Sequence, residues 1–546
     1  MVVLLSTYMK AVKVRKIVNP GHIYPCAITF IVLVVYLATM PTSLSWGYKN
    51  FGIDSPELLT SAQLFGIPHP PGYPLYMLLL GTILKVLPFA DPALVGNLFS
   101  VLTTLTSVPI LYSAILKLLS SVTGIRGASL QLCSAVSVTL FCFLPVIWGV
   151  STITEVYSLN ILLVTVLFWT SVSLVIHHSR GDRISPRLLF VLSISTGLGL
   201  SNHLTFIGFA IPMLFWVGLK IGLRPYLKPI FFLPIVLGAC LYVYLPIRTP
   251  AAFPTNWGDS DTIGGFLWMV RAAPYGGYFS FPWNEPTLDQ ILWPARLIFS
   301  ELGPVLIFLA LIGLRSLYFF DKHFVIASVI SGILFLSYGA AYKTADSEVN
   351  VTPVLMLSCV FAGGGMFHLL HIIQRWLIKP ETADSTVRFL GISQRILTNI
   401  VTSVFLLLLP FFLLTASFEN LDFSDDREAL IRGREIHKMG SHNSIFLLST
   451  EKDVFTTWYV RYVEHPSSIK LPVAVPLLQF HWYIRNIPLN LGVDESDTSV
   501  KDVENVAKKI AESGINEGRD IYIADAYLYQ AISGSMKGDQ IHLIEW

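Results

Sequence analysis

Asp54-Ser-Pro-Glu57, followed by His69-Pro-Pro-Gly-Tyr-Pro-Leu-Tyr76, falls between an apolar run at 24–41 and a long series of further apolar runs. Two carboxylates three residues apart either share one face of a helix that starts at Pro56 or flank its N-terminus, where Asp54 would act as cap. The prolines that follow set the backbone without regular hydrogen bonding, so this stretch is a rigid loop able to hold an acid in place. Whether it is a catalytic loop or a capped helix depends on what lies on either side.

The flanks are membrane-like. Of 546 residues, 53% are hydrophobic and 13% charged, with a mean hydropathy of +0.63, far more apolar than a soluble domain. Apolar segments suited to spanning fall near 24–41, 94–117, 128–149, 157–177, 188–220, 229–246, 291–316, 324–341, 350–372 and 396–416. The first follows a basic stretch, is long for a signal-peptide core and lacks a small-x-small cleavage site, so it reads as a retained span. Basic residues cluster at Lys10 to Lys16, Lys117/Arg126, Arg180 to Arg187, Lys220 to Lys228, Arg315/Lys322 and Arg375 to Arg395, which the positive-inside rule makes cytoplasmic. For this to hold, 188–220 must cross twice with Ser201-Asn202-His203 at the tip. The run 73–88, interrupted by Lys85, must be a partly inserted helix. About eleven spans result, with 42–93, 150–156, 247–290, 342–349 and everything after 416 extracytoplasmic.

Residues 1–416 carry 24 Lys and Arg against 15 Asp and Glu, whereas 417–546 carry 13 against 20. That split marks a membrane domain, 1–416, and a second domain, 417–546, read as small α/β. Strands are predicted at 444–449, 473–475, 521–524 and 541–544, with helices at 453–464 and 501–513. The five cysteines lie in or beside apolar runs without metal-ligand spacing, and no Gly-rich phosphate loop precedes a helix. No metal, no soluble nucleotide and, at a formal charge of +2, no nucleic-acid partner are expected.

Most of the acids before residue 417 fall on the outer side. Glu155, in Thr154-Glu155-Val-Tyr157, enters an apolar segment, where an ionisable group is costly unless it faces a cavity or a partner; an interfacial Glu in a Trp/Tyr belt is the plainer alternative. Asn202-His203 is a further polar point. Tyr242-Val-Tyr-Leu-Pro-Ile-Arg248, Asn256-Trp257-Gly-Asp259, Arg271-Ala-Ala-Pro-Tyr275-Gly-Gly-Tyr278 and Lys343-Thr-Ala-Asp346-Ser-Glu348 add cations and aromatic rings, which suit phosphate and sugar rings respectively. Each is also explained by a solvated loop.

Together, Asp54-x-x-Glu57, His69 to Tyr76, Glu155-Val-Tyr157, Asn202-His203-Leu204, Tyr244 to Arg248 and Trp257-Gly-Asp259 resemble a membrane family long catalogued as an uncharacterised domain. Its metazoan member is an endoplasmic-reticulum protein O-mannosyltransferase acting on plexin-type receptors. The resemblance covers most of 40–290 and continues in bacterial-type members through Thr456-Thr-Trp458-Tyr459 and His481-Trp-Tyr483-Ile-Arg485. Where those relatives carry Asn-Gly-Asp-Asn-Asp, this chain has Ser449-Thr-Glu451-Lys-Asp453.

What the resemblance implies is a GT-C-like helical bundle with an extracytoplasmic α/β domain. Such an enzyme moves a hexose, by family mannose, with inversion, from a polyprenyl- or dolichyl-phosphate carrier to an acceptor hydroxyl on protein Ser/Thr or on a glycan or lipid. It needs no cofactor beyond that lipid-linked sugar. By motif Asp54 is the general base, with Glu57 and Glu155 orienting hydroxyls and Arg248, Arg271 or Lys343 engaging phosphate. His69, Tyr73, Tyr157, Asn202, His203, Trp257 and Asp259 line the substrate. The expected home is a cell membrane, with the endoplasmic reticulum as alternative. A secondary transporter, or a receptor using 417–546, are the readings from other classes.

Overall fold

The computed structural model describes residues 23–125, 127–249, 254–278, 287–342, 344, 346–377, 386–387, 392–489, 503–536 and 539–545. Helices come first along the chain: α1 Ile23–Thr39, α2 Ser55–Leu64, α3 Pro74–Val86, α4 Pro92–Thr123, α5 Ala128–Phe143, α6 Pro145–Ser151 and α7 Val156–Ser179. They continue with α8 Pro186–Asn202, α9 Ile207–Ile221, α10 Pro229–Ala239, α11 Tyr244–Arg248, α12 Ile263–Val270, α13 Leu288–Phe320, α14 Lys322–Ala341, α15 Thr352–Leu377 and α16 Gln394–Leu421.

Eight of the described helices are long and apolar enough to cross a membrane, and the bent pair α5 and α6 makes a ninth. The 17-residue α1 and α8 occupy the two remaining apolar segments. The 13-residue α3 is the short helix expected at 73–88. The chain is thus a helical polytopic membrane protein. Phe299, Phe308 and Leu311 on α13, Ile333 on α14 and Phe405, Phe411 and Phe412 on α16 stay exposed, an apolar girdle that only lipid or a partner would cover.

Two apolar runs break where a crossing helix could have continued. The run 188–220 divides at His203, which is extended (φ −152°, ψ 129°) between α8 and α9, as a double crossing requires. The run 128–149, expected as one span, bends by 66° between α5 and α6. Leu144 is extended there because Pro145 disfavours the helical conformation of its predecessor and cannot donate its own amide. Small residues let neighbouring helices close up. A Cβ on Gly197 of α8 would lie 2.6 Å from the Ile235 carbonyl of α10, so only hydrogen fits.

The C-terminal unit comprises α17 Glu428–Lys438, β1 Ile445–Leu448, α18 Glu451–Tyr459, β2 Leu471–Ala474, α19 His481–Asn486, α20 Val503–Asn516, β3 Ile521–Ile523, α21 Ala526–Ser533 and β4 Ile541–Leu543. The four strands form one parallel sheet in the order β2-β1-β3-β4, with Ile445 opposite Leu471 on one side and Ile521 on the other. Helical crossovers are what parallel pairing demands, and the strands are apolar runs because helices cover them.

This unit holds the segment that leads into Asp54. Phe423 N donates to Thr39 O at 2.9 Å, Ser45 Oγ donates to the Asp426 carboxylate, and Lys452 Nζ donates to Asn50 Oδ1 at 2.7 Å.

Candidate active site

Helix α2 places the two acids. Pro56 sits in its first turn, and Ser55 Oγ donates to Thr154 O at 2.8 Å, tying the start of α2 to the turn that carries Glu155. Asp54 occupies the N-cap position but accepts no capping hydrogen bond, so the structural role open to it in sequence is not taken. Its side chain is 31% exposed, and one oxygen lies 3.7 Å from His69 Nε2.

Glu57, one turn on, is fully buried and committed to His69. One oxygen accepts from the His69 backbone N–H at 3.0 Å and the other meets ring Nδ1 at 2.5 Å. By motif this residue is expected to orient substrate hydroxyls. The geometry gives it a different partner, because both oxygens are occupied within the protein.

Burial alone would discharge the His69 ring, but the Glu57 and then the Asp54 carboxylate outweigh it and raise its pKa to about 10. As an imidazolium it donates through both nitrogens, so Nε2–H points at Tyr73 Oη, 2.9 Å away. Asp54 is raised as well, but for it the raised pKa favours the neutral form. Burial pushes its pKa up to about 7, against the pull of His69 and with help from Glu451, Glu57 and Asp346. Glu155 is also raised, by burial and then by Asp54.

The proline-rich stretch holds His69 and Tyr73 in place. Gly72 adopts φ 86°, and a Cβ there would meet Leu245 Cδ2 at 2.7 Å, so glycine serves both the conformation and the approach of α11. Tyr73, at φ 41°, caps α3, which begins at Pro74.

Rings surround this pair. Tyr73 stacks on His203 at 5.7 Å, and the Tyr157 ring lies 5.3 Å from His203, tilted by 44°. Trp257 and Tyr275 approach His69 edge-on at 6.4 Å and 6.3 Å. Asn202 Nδ2 donates to Val156 O at 3.2 Å, which ties the α8–α9 tip to the start of α7. Several buried polar atoms in this shell have no protein partner: Glu155 Oε1, Asn202 Oδ1 and Trp257 Nε1. Unpaired polar atoms are expensive to bury, and a polar ligand is one way of pairing them.

The cations are less concentrated than the sequence suggested. Arg248 donates from Nε to Phe65 O and from Nη2 to Leu64 O at 3.2 Å, neutralising the carbonyl end of α2. Asp259 is ion-paired with Arg485 of α19, which joins the C-terminal unit to the loop carrying Trp257. Arg271 is exposed, with Nε donating to Leu267 O of its own helix at 3.1 Å. Lys343 lies outside the described residues.

Three residues here were not singled out for the site. Asp346, presumed solvated with most other outer acids, lies within electrostatic reach of Asp54, Glu155 and Tyr157. Glu451, at the start of α18, acts on Asp54 from the C-terminal unit. Tyr275 supplies a ring at His69. In sequence the Asp346 segment reads as a polar loop. No sequence signal ties it, or Glu451, to residue 54. Among the described residues no cluster of His, Cys, Asp or Glu is arranged to hold a metal ion.

Fold and site together define a polytopic membrane protein with a carboxylate and histidine centre built from the turns at one end of its bundle. Residues 54–221 match the model of the N-terminal domain of the protein O-mannosyl-transferase TMEM260 family, which bears out the resemblance read from the motifs. The mouse protein O-mannosyl-transferase TMEM260 is 28% identical over 252 residues, covering 45% of this chain and 33% of the mouse protein. A Dictyostelium discoideum relative of the same description is 25% identical over 256 residues, covering 44% of this chain and 30% of its own length.

The chain thus aligns with about a third of the length of these curated relatives. Among solved structures, ArnT from Cupriavidus metallidurans bound to undecaprenyl phosphate overlaps 85% of this chain and 92% of its own, with 12% identity and a TM-score of 0.43. The Archaeoglobus fulgidus oligosaccharyltransferase AglB, in complex with an inhibitory peptide and a dolichol-phosphate, overlaps 90% of this chain and 69% of its own, with 10% identity and a TM-score of 0.46.

Proposed function

We propose that this chain is an inverting glycosyltransferase of the GT-C type. In this reading it moves a hexose, mannose by family, from a polyprenyl- or dolichyl-phosphate carrier to the hydroxyl of a protein Ser or Thr on the extracytoplasmic side of its membrane. One observation carries the reading. Asp54 is a half-open carboxylate, unengaged as a cap, beside an imidazolium and a shell of buried polar atoms that lack protein partners. The family match over 54–221 supports it, since both curated relatives are named protein O-mannosyl-transferases.

The acceptor hydroxyl gives its proton to Asp54 as its oxygen attacks C1 of the sugar. The bond between C1 and the phosphate oxygen breaks with its electron pair on the phosphate, and attack from the opposite face inverts the anomeric centre. A base with a pKa of about 7 is well matched to neutral pH. His69, fixed by Glu57 and Tyr73, holds positive charge beside Asp54 and keeps that carboxylate from rising further. Glu155 and Asn202 offer hydrogen-bond positions to sugar hydroxyls. Arg271 is the cation assigned in this reading to the charge left on the departing phosphate.

The test is transfer of mannose from polyprenyl-phosphate mannose to a Ser/Thr peptide by the protein in nanodiscs. Asp54→Asn, shown by its melting curve to be folded, should lower turnover about 10²–10⁴-fold, the usual contribution of a general base. Retained transfer by that variant would refute the assignment.

A further inference from the structure

The C-terminal sheet carries a crevice of its own. After β1 the chain turns through α18 to β2 on one side, and after β3 it turns through α21 to β4 on the other. Crossovers that diverge from adjacent parallel strands open a cleft at the carboxyl ends of those strands, where ligands of open α/β sheets bind.

A cavity of about 600 Å³ is lined there by Ser449 and Thr450, directly after β1, and by Ala524 and Asp525, directly after β3. Its far wall is Trp46, eight residues before Asp54 in sequence. A second cavity, of about 420 Å³, shares Arg432 and Glu435 with the first. The two make one trough along α17, roomier than a single sugar needs.

With Glu545 and Lys438 of the smaller cavity included, five carboxylates line the trough against three cations. Four carboxylates, Glu428, Glu435, Asp453 and Asp525, line the larger cavity against Arg432 and Lys452. Both cations are engaged: Arg432 pairs with Asp453 at 2.7 Å, and Lys452 donates to Asn50 while lying 4.7 Å over the Trp46 ring. Neither Glu428 nor Glu435 has an ion-pair partner among the described residues. They stand seven residues apart on α17, two turns of the same helix face, with exposed Ile431 between them. Lys452 borders the trough and donates to Asn50, four residues before Asp54, and its neighbour Glu451 lies within electrostatic reach of Asp54, so one turn of α18 connects the trough to the candidate active site.

We propose that this trough seats the acceptor as an extended polypeptide whose basic side chains pair with Glu428 and Glu435 while a nearby Ser or Thr reaches Asp54. The inference rests on the glycosyltransferase reading for what the peptide is there to do, and on charge and shape for where it lies.

Full-length protein in nanodiscs, without donor, is titrated with a fluorescein-labelled peptide of alternating Lys and Thr, with its Glu-for-Lys counterpart and with an unlabelled mannose oligosaccharide. The Lys peptide should bind and the Glu peptide should not, and Glu428→Lys combined with Glu435→Lys should weaken the Lys peptide about tenfold. Glu428→Gln with Glu435→Gln should give a smaller shift in the same direction, and it stands in if the charge reversal does not fold.

Equal binding of the Lys peptide by wild type and folded variants overturns the proposal. So does displacement of bound peptide by the oligosaccharide at lower concentration than by the unlabelled Lys peptide. The two readings separate cleanly. If transfer requires Asp54 while the charge variants leave peptide KM unchanged, the trough is wrong and the reaction stands. If Glu428- and Glu435-dependent binding occurs in a protein that never transfers sugar, the reaction is wrong and the trough stands.

Discussion

At the scale of single residues, burial and then the charges of His69, Glu451 and Glu57 set the pH at which Asp54 ionises. Activity that needs ionised Asp54 should fall as pH drops through about 7, and activity that needs protonated His69 should fall as pH rises through about 10. Glu57→Gln keeps the bond to the His69 backbone but removes the negative charge that holds the ring protonated. The alkaline limb should then move down from about 10 toward the ordinary histidine value, while the acid limb moves less, because Asp54 loses the raising charge of Glu57 along with part of the lowering charge of His69. A narrower pH profile of kcat/KM is the expected outcome; an unchanged width would show that His69 takes no part. The substitution also leaves a buried charge without its partner, a change that typically costs about 3–5 kcal/mol, so a lower melting temperature should accompany it. Of this arrangement, the sequence displayed the acids and the histidine. It did not display their pairing, because Glu57 and His69 are 12 residues apart across a stretch with no regular period. Arg248 looked like a phosphate ligand for the same reason: nothing local reveals that the end of α2 arrives beneath it.

At the scale of elements, apolar length and charge counting place nearly every helix, and the requirement that 188–220 turn back locates the break at His203. Four strands fall where alternating apolar stretches predict them, because a parallel sheet under helices leaves that signature in sequence. The bend at Leu144 was also signalled, by Pro145, yet hydropathy alone smooths over it. Helix packing depends on details that composition does not carry. Gly197→Val should separate α8 from α10, since its side chain would meet the Ile235 carbonyl, and a substantial loss of thermal stability in detergent is expected. The same change at Gly181, which has open space around it, should cost far less despite its φ of 80°. Comparing the two melting temperatures checks this.

For the whole molecule, the proposed orientation puts the C-terminal unit outside. In a cysteine-free background, Glu517→Cys should react with a membrane-impermeant maleimide added to intact cells, while Asp182→Cys, in the turn between α7 and α8, should react only after permeabilisation. Reversed labelling would invert the topology. Exchange of the Asp259 and Arg485 charges tests how the two parts communicate. Asp259→Arg or Arg485→Asp alone should weaken transfer, and the double exchange should recover part of it. Contacts of this range were invisible in sequence, where Asp346 and Glu451 belong to separate loops hundreds of residues from Asp54.

The grip of the C-terminal unit on the segment 39–50 bears on modularity. Thr39, Ser45 and Asn50 each accept or donate a bond to a residue beyond 420, and Glu451 reaches the field of Asp54 itself. The terminal unit is therefore no interchangeable attachment. A chimera that grafts a relative's sheet onto this bundle would have to carry matching partners for that segment, or re-evolve them. A change on either side of these bonds is expected to call for a compensating change on the other.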